Sequence, residues 1–388
     1  MSSNPTNARL RPETLAAQAL GIIDAETGAV VPALHMATTF IRDPDNQYRK
    51  GYSYGRADNP NVRQVEAVLA ALEGGKTGVL LGSGMSAATA AFLALERPSH
   101  ILAPQVMYWG LRKWLLEDAP GYGITTTFVD MSDLAAVARA IRPGSTRMLW
   151  LETPSNPMWG IADIAGAAAI AHKAGALVGV DSTVATPVLS NPLRLGADVV
   201  MHSATKYLNG HSDVIAGALV LAKADAYLDR VLRVRSMLGL ILGPFEASLL
   251  LRGLRTVHVR VRHQSATALT LARALQRHAR IAEVLYPGLE QHPGHTIAAR
   301  QMTGGFGGML SIRVKGGEAA AIATAARVEV WKRATSLGGV ESLLEHRASV
   351  EGAGTPCPAD LLRLSAGLES VEDLLADLDQ ALEASARV

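Results

Sequence analysis

The sequence predicts an α/β protein: a mostly parallel sheet flanked by helices, with a smaller C-terminal α+β domain and an extended N-terminal arm. Three observations lead there. Apolar runs without polar alternation are separated by helix-period segments. Such runs indicate parallel strands covered on both faces. Polar residues gather where several of these runs end, and the pattern changes after residue 250.

Residues 1–60 are rich in Pro, Asn, Asp and Tyr with little period, and read as an arm rather than a packed core. "PNVRQVEAVLAALEG" (60–74) has the helix period and ends in Gly. "TGVLLGSG" (77–84) is a strand entering the helix "MSAATAAFLALE" (85–96), and "HILAP" (100–104) is a short strand. "RMLWLETPSNP" (147–157) is a strand ending in a polar turn. "IAGAAAIAHKAG" (164–175) is a helix leading to the strand "ALVGVDST" (176–183). "ADVVMHSATK" (197–206) and "AGALVLA" (216–222) complete residues 61–250, the expected large domain. Residues 251–388, with "GGFGGMLSIRV", "RATSLGGVES" and "LLRLSAGLES", form the expected small domain.

Composition narrows the function. Among 388 residues the formal net charge is +2, which gives no reason to expect nucleic acid. The arginines of "DRVLRVRS" (229–236) and "VRVRH" (259–263) read as solvated helix faces and subunit contacts. One cysteine, Cys357, excludes an internal disulfide and a cysteine-cluster zinc site. The N-terminus lacks the apolar core of a signal peptide, and no apolar run is long enough to span a membrane. The expectation is a cytoplasmic protein.

At the strand ends, "GSGMSA" offers Gly82 and Gly84 at a turn whose free N–H groups suit a phosphate. "ETPSNP" offers Glu152 and Asn156, "DSTVATP" offers Asp181 and Thr183, and "HSATK" offers Ser203, Thr205 and Lys206. Sheets of this kind bind ligands at the carboxyl ends of their strands. A buried lysine is costly unless used. An anion nest, an acid and a lysine in one crevice are what pyridoxal phosphate requires. The lysine forms a Schiff base with its aldehyde, and a carboxylate keeps its ring nitrogen protonated so that the ring accepts electrons. Tyr108, in "QVMYWG", can cover the ring face. Taken singly each signal is weak: Lys206 suits a surface lysine, and Asp181 a helix cap. "GSGMSA" also fits a dinucleotide fingerprint, but the following strand ends in Gln105 rather than an acid. "EGGKT" (73–77) lacks the first glycine of a P-loop, and His292 and His295 have no third metal partner.

With these residues in place, the chain resembles the cystathionine synthase and lyase family, the transsulfuration group of fold-type I pyridoxal-phosphate enzymes. "YSYGRADNP", "GSGMSA", "ETPSNP", "DSTVATP", "HSATKYLNGHSD", "GGFGGM", "SLGGVES" and "RLSAGLE" resemble family blocks in the family's order. The resemblance implies the PLP-transferase fold type I and assigns roles. Lys206 would carry the cofactor and shuttle protons, Asp181 would pair with the ring nitrogen, and Tyr108 would stack on the ring. Gly84, Met85, Ser203 and Thr205 would hold the phosphate, with Thr183 also on the cofactor side. Tyr54 and Arg56 would reach a neighbouring subunit's phosphate, which implies a homo-oligomer, a tetramer built as a dimer of dimers. Arg363, Asn156 and Ser336 would clamp the α-carboxylate of an amino-acid substrate. Glu341 and Leu337 match the γ-acting branches.

The implied reaction is γ-elimination or γ-replacement on a γ-substituted amino acid. A β-elimination and a non-catalytic pyridoxal-phosphate protein remain the alternatives. The sequence departs from the family pattern at several points. Trp109 and Lys113 follow the stacking tyrosine, and Leu111 and Arg112 stand where the methionine-lyase branch has a cysteine. Ser53 replaces an acid of cystathionine-using members, so cystathionine is expected to be a poor substrate. "EHRASVEGAG" replaces "HPASMTH", which makes Arg347 and Glu351 candidates for altered selectivity, with a solvated loop as the plainer alternative.

Overall fold

The computed structural model describes residues 10–56, 58–352 and 354–385. Among these residues twelve strands form two sheets: β1 (Thr77–Leu81), β2 (Ser99–Pro104), β3 (Ile124–Val129), β4 (Thr146–Glu152), β5 (Leu177–Asp181), β6 (Val199–His202), β7 (Gly217–Leu221), β8 (Ile281–Leu285), β9 (Met309–Val314), β10 (Lys332–Arg333), β11 (Leu343–His346) and β12 (Leu361–Ser365). The first sheet has the order β1-β7-β6-β5-β4-β2-β3. Strands β2 to β6 run parallel, and β7 is antiparallel to both β6 and β1. Two reversals leave β1 running with β6, so Leu81, Pro104, Glu152, Asp181 and His202 all end on one edge. The strand Ile124–Val129, "ITTTFV", was not separable by periodicity from its polar surroundings: three threonines interrupt it, and only its ends are fully buried.

Helices cover both faces of this sheet. Pro60–Glu73 starts where the Asn59 side chain accepts from Asn61 N at 2.9 Å, with Pro60 in the first helical position. It stops at Gly74, whose φ of +69° a glycine adopts without steric cost. Val65, Val68, Leu69 and Leu72 form its buried stripe. Each such side chain contributes about 1.5–3 kcal/mol by burial. Opposite, Gly84–Leu93 uses Ala87, Ala88, Ala90 and Ala91 to lie close against the strands.

The second sheet has the order β10-β11-β12-β9-β8. Strand period two decides its role. Leu310, Ile312, Leu362 and Leu364 face a core closed by Val257–Leu275 and Val371–Ser385. Ser311 and Arg363, being of opposite parity, face the first sheet. There Trp159 Nε1 donates to Ser311 Oγ at 2.8 Å, and Arg363 Nη1 donates to Asn156 Oδ1 at 3.2 Å. The small sheet thereby presents one face to the strand ends of the large one.

Two expectations need adjustment. The N-terminal segment is not wholly an extended arm: Pro12–Ala17 is helical, and Leu15, Ala16 and Ala19 enter the main core. Arg255 Nε donates to Ala17 O at 3.0 Å and helps fix it. The boundary placed after residue 250 falls inside the helix Pro244–Leu254. The next helix, Val257–Leu275, begins in the first core with Val257 and Val261 and ends in the second with Leu271 and Leu275.

Candidate active site

A cavity of about 290 Å³ opens at the shared strand edge. Its wall includes Gly84, Met85, Tyr108, Glu152, Asn156, Asp181, Thr183, Ser203, Thr205 and Lys206, with Leu337 closing one side.

One end is a helix N-terminus. Ser83 caps Gly84–Leu93, its Oγ accepting from Ser86 N at 3.0 Å, while Ser86 Oγ accepts from Ser83 N at 2.8 Å. The N–H groups of the first turn then face the cavity with the positive end of the helix dipole. Gly84 is required by packing: a Cβ there would stand 2.7 Å from Ser203 Cβ. Gly217 is required likewise, since its Cβ would stand 1.9 Å from Ser83 O. The loop after β6 is tied down by its own hydroxyl, with Thr205 Oγ1 donating to Ala216 O at 3.1 Å and accepting from Ala216 N at 3.0 Å.

The middle holds the acid. Asp181 ends β5, and its Oδ1 accepts from Thr183 N at 3.0 Å and from Thr183 Oγ1 at 2.6 Å. Thr183 Oγ1 in turn accepts from Ser203 N at 2.8 Å, so one hydroxyl aligns the acid with the loop after β6. Burial raises the Asp181 pKa against the lowering effect of these bonds. Its Oδ2 accepts no hydrogen bond among the described residues, and Asp181 lines the cavity.

Beside it stands Glu152, the register partner of Asp181 on β4. Its Oε2 accepts from Tyr108 N at 2.7 Å and its Oε1 from Asn156 N at 2.9 Å. One carboxylate thus fixes the backbones of both Tyr108 and Asn156. Burial and then the charge of Asp181 push Glu152 up to about 8. Sequence reasoning saw Glu152 at a strand end and gave it no role. A carboxylate closing an apolar strand, four residues before Asn156, was the available signal.

The far end holds cations. Lys206 Nζ donates to Ser336 Oγ at 2.8 Å. Arg363 Nη2 donates to Ser336 O at 2.8 Å and to Glu345 Oε2 at 2.7 Å. Ser336 joins the two cations with φ +100°, a backbone region that L-residues rarely adopt and that is held by surrounding structure. Burial, and next the charge of Arg363, pulls Lys206 down to about 8. Glu345 was missed entirely. It lies within the apolar strand "LLEH" and faces Arg363 only through the antiparallel register of β11 and β12.

Five of the candidate residues are not part of the cavity wall: Ser336 and Arg363 stand behind it, bonded to Lys206 and Asn156, and three lie farther off. Glu341 bonds to Ser212 Oγ. Tyr54 and Arg56 lie on the arm, exposed and stacked cation-on-ring at 5.7 Å, with Arg56 Nη1 donating to Ser236 O at 3.0 Å. Ser53 is also exposed on the arm.

The donor set fits pyridoxal phosphate: an anion cradle that only glycine permits, a buried carboxylate with an open oxygen, a half-exposed tyrosine ring and a lysine of lowered basicity in one cavity. Fold and site together define a pyridoxal-phosphate enzyme of fold type I. Residues 13–383 match the model of the Cys/Met metabolism PLP-dependent enzymes, and the chain belongs to that family. It is 44% identical over 366 residues to a cystathionine gamma-synthase of Mycobacterium tuberculosis, covering 92% of this chain and 93% of that one. It is 40% identical over 376 residues to an L-methionine gamma-lyase of Pseudomonas putida, covering 92% and 94%. A crystal structure of the Xanthomonas oryzae cystathionine gamma synthase with aminoacrylate and cysteine superposes with a TM-score of 0.93 at 38% identity, covering 97% of this chain and 99% of that one. The chain is accordingly a pyridoxal-phosphate enzyme of sulfur amino-acid metabolism, acting by γ-elimination or γ-replacement on an amino acid.

Proposed function

We propose that Lys206 anchors the cofactor and moves the substrate protons, and that the remaining candidate residues divide into a cofactor end and a carboxylate end. The observation that carries this reading is the Lys206–Ser336–Arg363 chain at the edge of a cavity that also holds Asp181 and the Gly84 helix terminus. When bound, pyridoxal phosphate supplies an electron sink that stabilises negative charge at the substrate carbons.

The protein residues do the rest. The Gly84 and Met85 N–H groups, with Ser203 and Thr205, hold the phosphate. Asp181 holds a proton on the ring nitrogen, with Thr183 orienting it. Tyr108 covers the ring, positioned by Glu152. Arg363, assisted by Asn156 and Ser336, grips the α-carboxylate with the charge-assisted geometry guanidinium favours. With its basicity lowered to about 8, Lys206 is neutral often enough near neutral pH to accept the α-proton and, once it has passed that proton on, one from Cβ, whose loss lets the γ-substituent depart. Glu341 is assigned to the substrate side, where it would act through the loop it shares with Ser336 and Leu337.

Tyr54 and Arg56 are assigned to a neighbouring subunit's phosphate in a homotetramer, working in the cytoplasm. Supporting this, the arm exposes Val30, Val31, Met36 and Ile41, with Ile41 97% exposed, an apolar display that a second copy would cover. Mixing Lys206→Ala with Arg56→Ala subunits tests the assignment. Each parent should be nearly inactive, and hybrids should regain activity at the site that receives both intact residues. Hybrids shown to form but without activity would refute the shared site.

A further inference from the structure

The segment "EHRASVEGAG" departs from the family pattern, and the structure folds two of its residues into a buried ion chain rather than a solvated loop. Arg347 Nη2 and Nε donate to Glu351 Oε1 at 2.7 and 3.2 Å, one helical turn away. Arg347 Nη1 donates at 2.8 Å to Glu345 Oε2, the same oxygen that accepts from Arg363 Nη2 at 2.7 Å. Arg363, Glu345, Arg347 and Glu351 are 3%, 7%, 4% and 7% exposed. Their charges alternate in sign and cancel.

This arrangement bears on how Arg363 can take a substrate. Both hydrogens of its Nη2 are already used, on Ser336 O and Glu345 Oε2. A carboxylate held by both prongs of the guanidinium must displace one of them, and Glu345 is the one that repels it. A buried carboxylate evicted from its partner is strongly unfavourable unless another cation holds it. Arg347 already shares the oxygen concerned, and Glu351 keeps Arg347 in place.

We propose that Arg347, anchored by Glu351, is a positioning residue that retains Glu345 when a substrate α-carboxylate claims Arg363, so that this chain sets the enzyme's preference for amino acids over their amides. The proposal rests on Arg363 as the carboxylate site and is independent of the γ-chemistry. Substrate and anion exchange on Arg363, and Arg347 lowers the cost of the exchange.

The test titrates the holoenzyme with L-norleucine, which has the α-carboxylate but no γ-leaving group, and with L-norleucinamide, following cofactor absorbance. Replacing the ion pair by Arg347→Leu with Glu351→Leu should weaken norleucine about tenfold or more while leaving norleucinamide within about twofold. Glu345→Gln should tighten norleucine selectively, because no buried charge is then evicted. In the Glu345→Gln background the leucine pair should have no further selective effect. Equal effects on both ligands, or none, would overturn the proposal. If the leucine pair does not fold, Glu345→Gln decides, and a failure to tighten norleucine selectively overturns it. Wild-type enzyme that does not distinguish the two ligands would remove Arg363 itself as the carboxylate site. A selective wild type with indifferent variants would remove only the role of Arg347.

Discussion

The two ends of the cavity are made of different materials. The cofactor end is backbone and neutral hydroxyl: a capped helix terminus, Ser203, Thr205 and Thr183, locked by hydrogen bonds of 2.6–3.1 Å. The carboxylate end is a chain of buried full charges, Arg363, Glu345, Arg347 and Glu351. Preformed dipoles at the first end change little when a phosphate arrives. Full charges at the second end must exchange partners when a carboxylate arrives. One end therefore suits a group that stays, and the other suits a group that must enter and leave on every turnover.

The difference also explains what the sequence showed. The cofactor end is local in the chain. Gly82, Gly84 and Ser86 lie within one turn, and Ser203, Thr205 and Lys206 within another, so their spacing carries the geometry. Unbroken apolar strands likewise gave the parallel sheet. The carboxylate end is assembled across the small sheet. Glu345 meets Arg363 through strand register, and Arg347 meets Glu351 because a five-residue helix forms after β11. The first is not written in spacing along the chain, and the second, an i,i+4 pair, forms only because this short segment turns helical, which is why Glu345 was missed and Arg347 was readable as solvent-exposed. The Pro12–Ala17 helix was hidden for a similar reason: its apolar residues are few and are buried only against the main core.

Perturbing the two ends should separate them, and the largest effect is expected at the centre. Asp181→Asn should keep cofactor bound but lose turnover by about a hundredfold or more, the scale of one removed electrostatic stabiliser. A neutral amide cannot hold the ring nitrogen protonated. Measured kcat near wild type would return Asp181 to a structural role.

Gly84→Ala should act on the cofactor end alone. The added methyl meets Ser203 Cβ at 2.7 Å, so the loop must shift away from the helix terminus. Cofactor affinity, measured by titrating the apoenzyme, should fall about tenfold, the cost of about 1.4 kcal/mol in lost phosphate contacts. Unchanged affinity would mean that the helix terminus does not hold the phosphate.

The smallest effect is on rate and comes from protonation. Only neutral Lys206 can attack the cofactor aldehyde. Its pKa is lowered to about 8, so ammonium predominates below that pH and free amine above it. The rate of cofactor uptake by the apoenzyme should rise as pH increases through about 8 and then level. A rise continuing toward the usual lysine range, near 10.4, would show that burial and Arg363 do not act on this amine.

The central claim is that the cofactor sits in this cavity on Lys206. Borohydride reduction of the holoenzyme, followed by proteolysis and mass spectrometry, tests it directly by fixing the cofactor to whichever lysine holds it. The expected result is one pyridoxyl-modified peptide, carrying the label on Lys206 of "HSATKYLNGH". A label on Lys113, Lys223 or any other lysine, with Lys206 unmodified, would contradict the account.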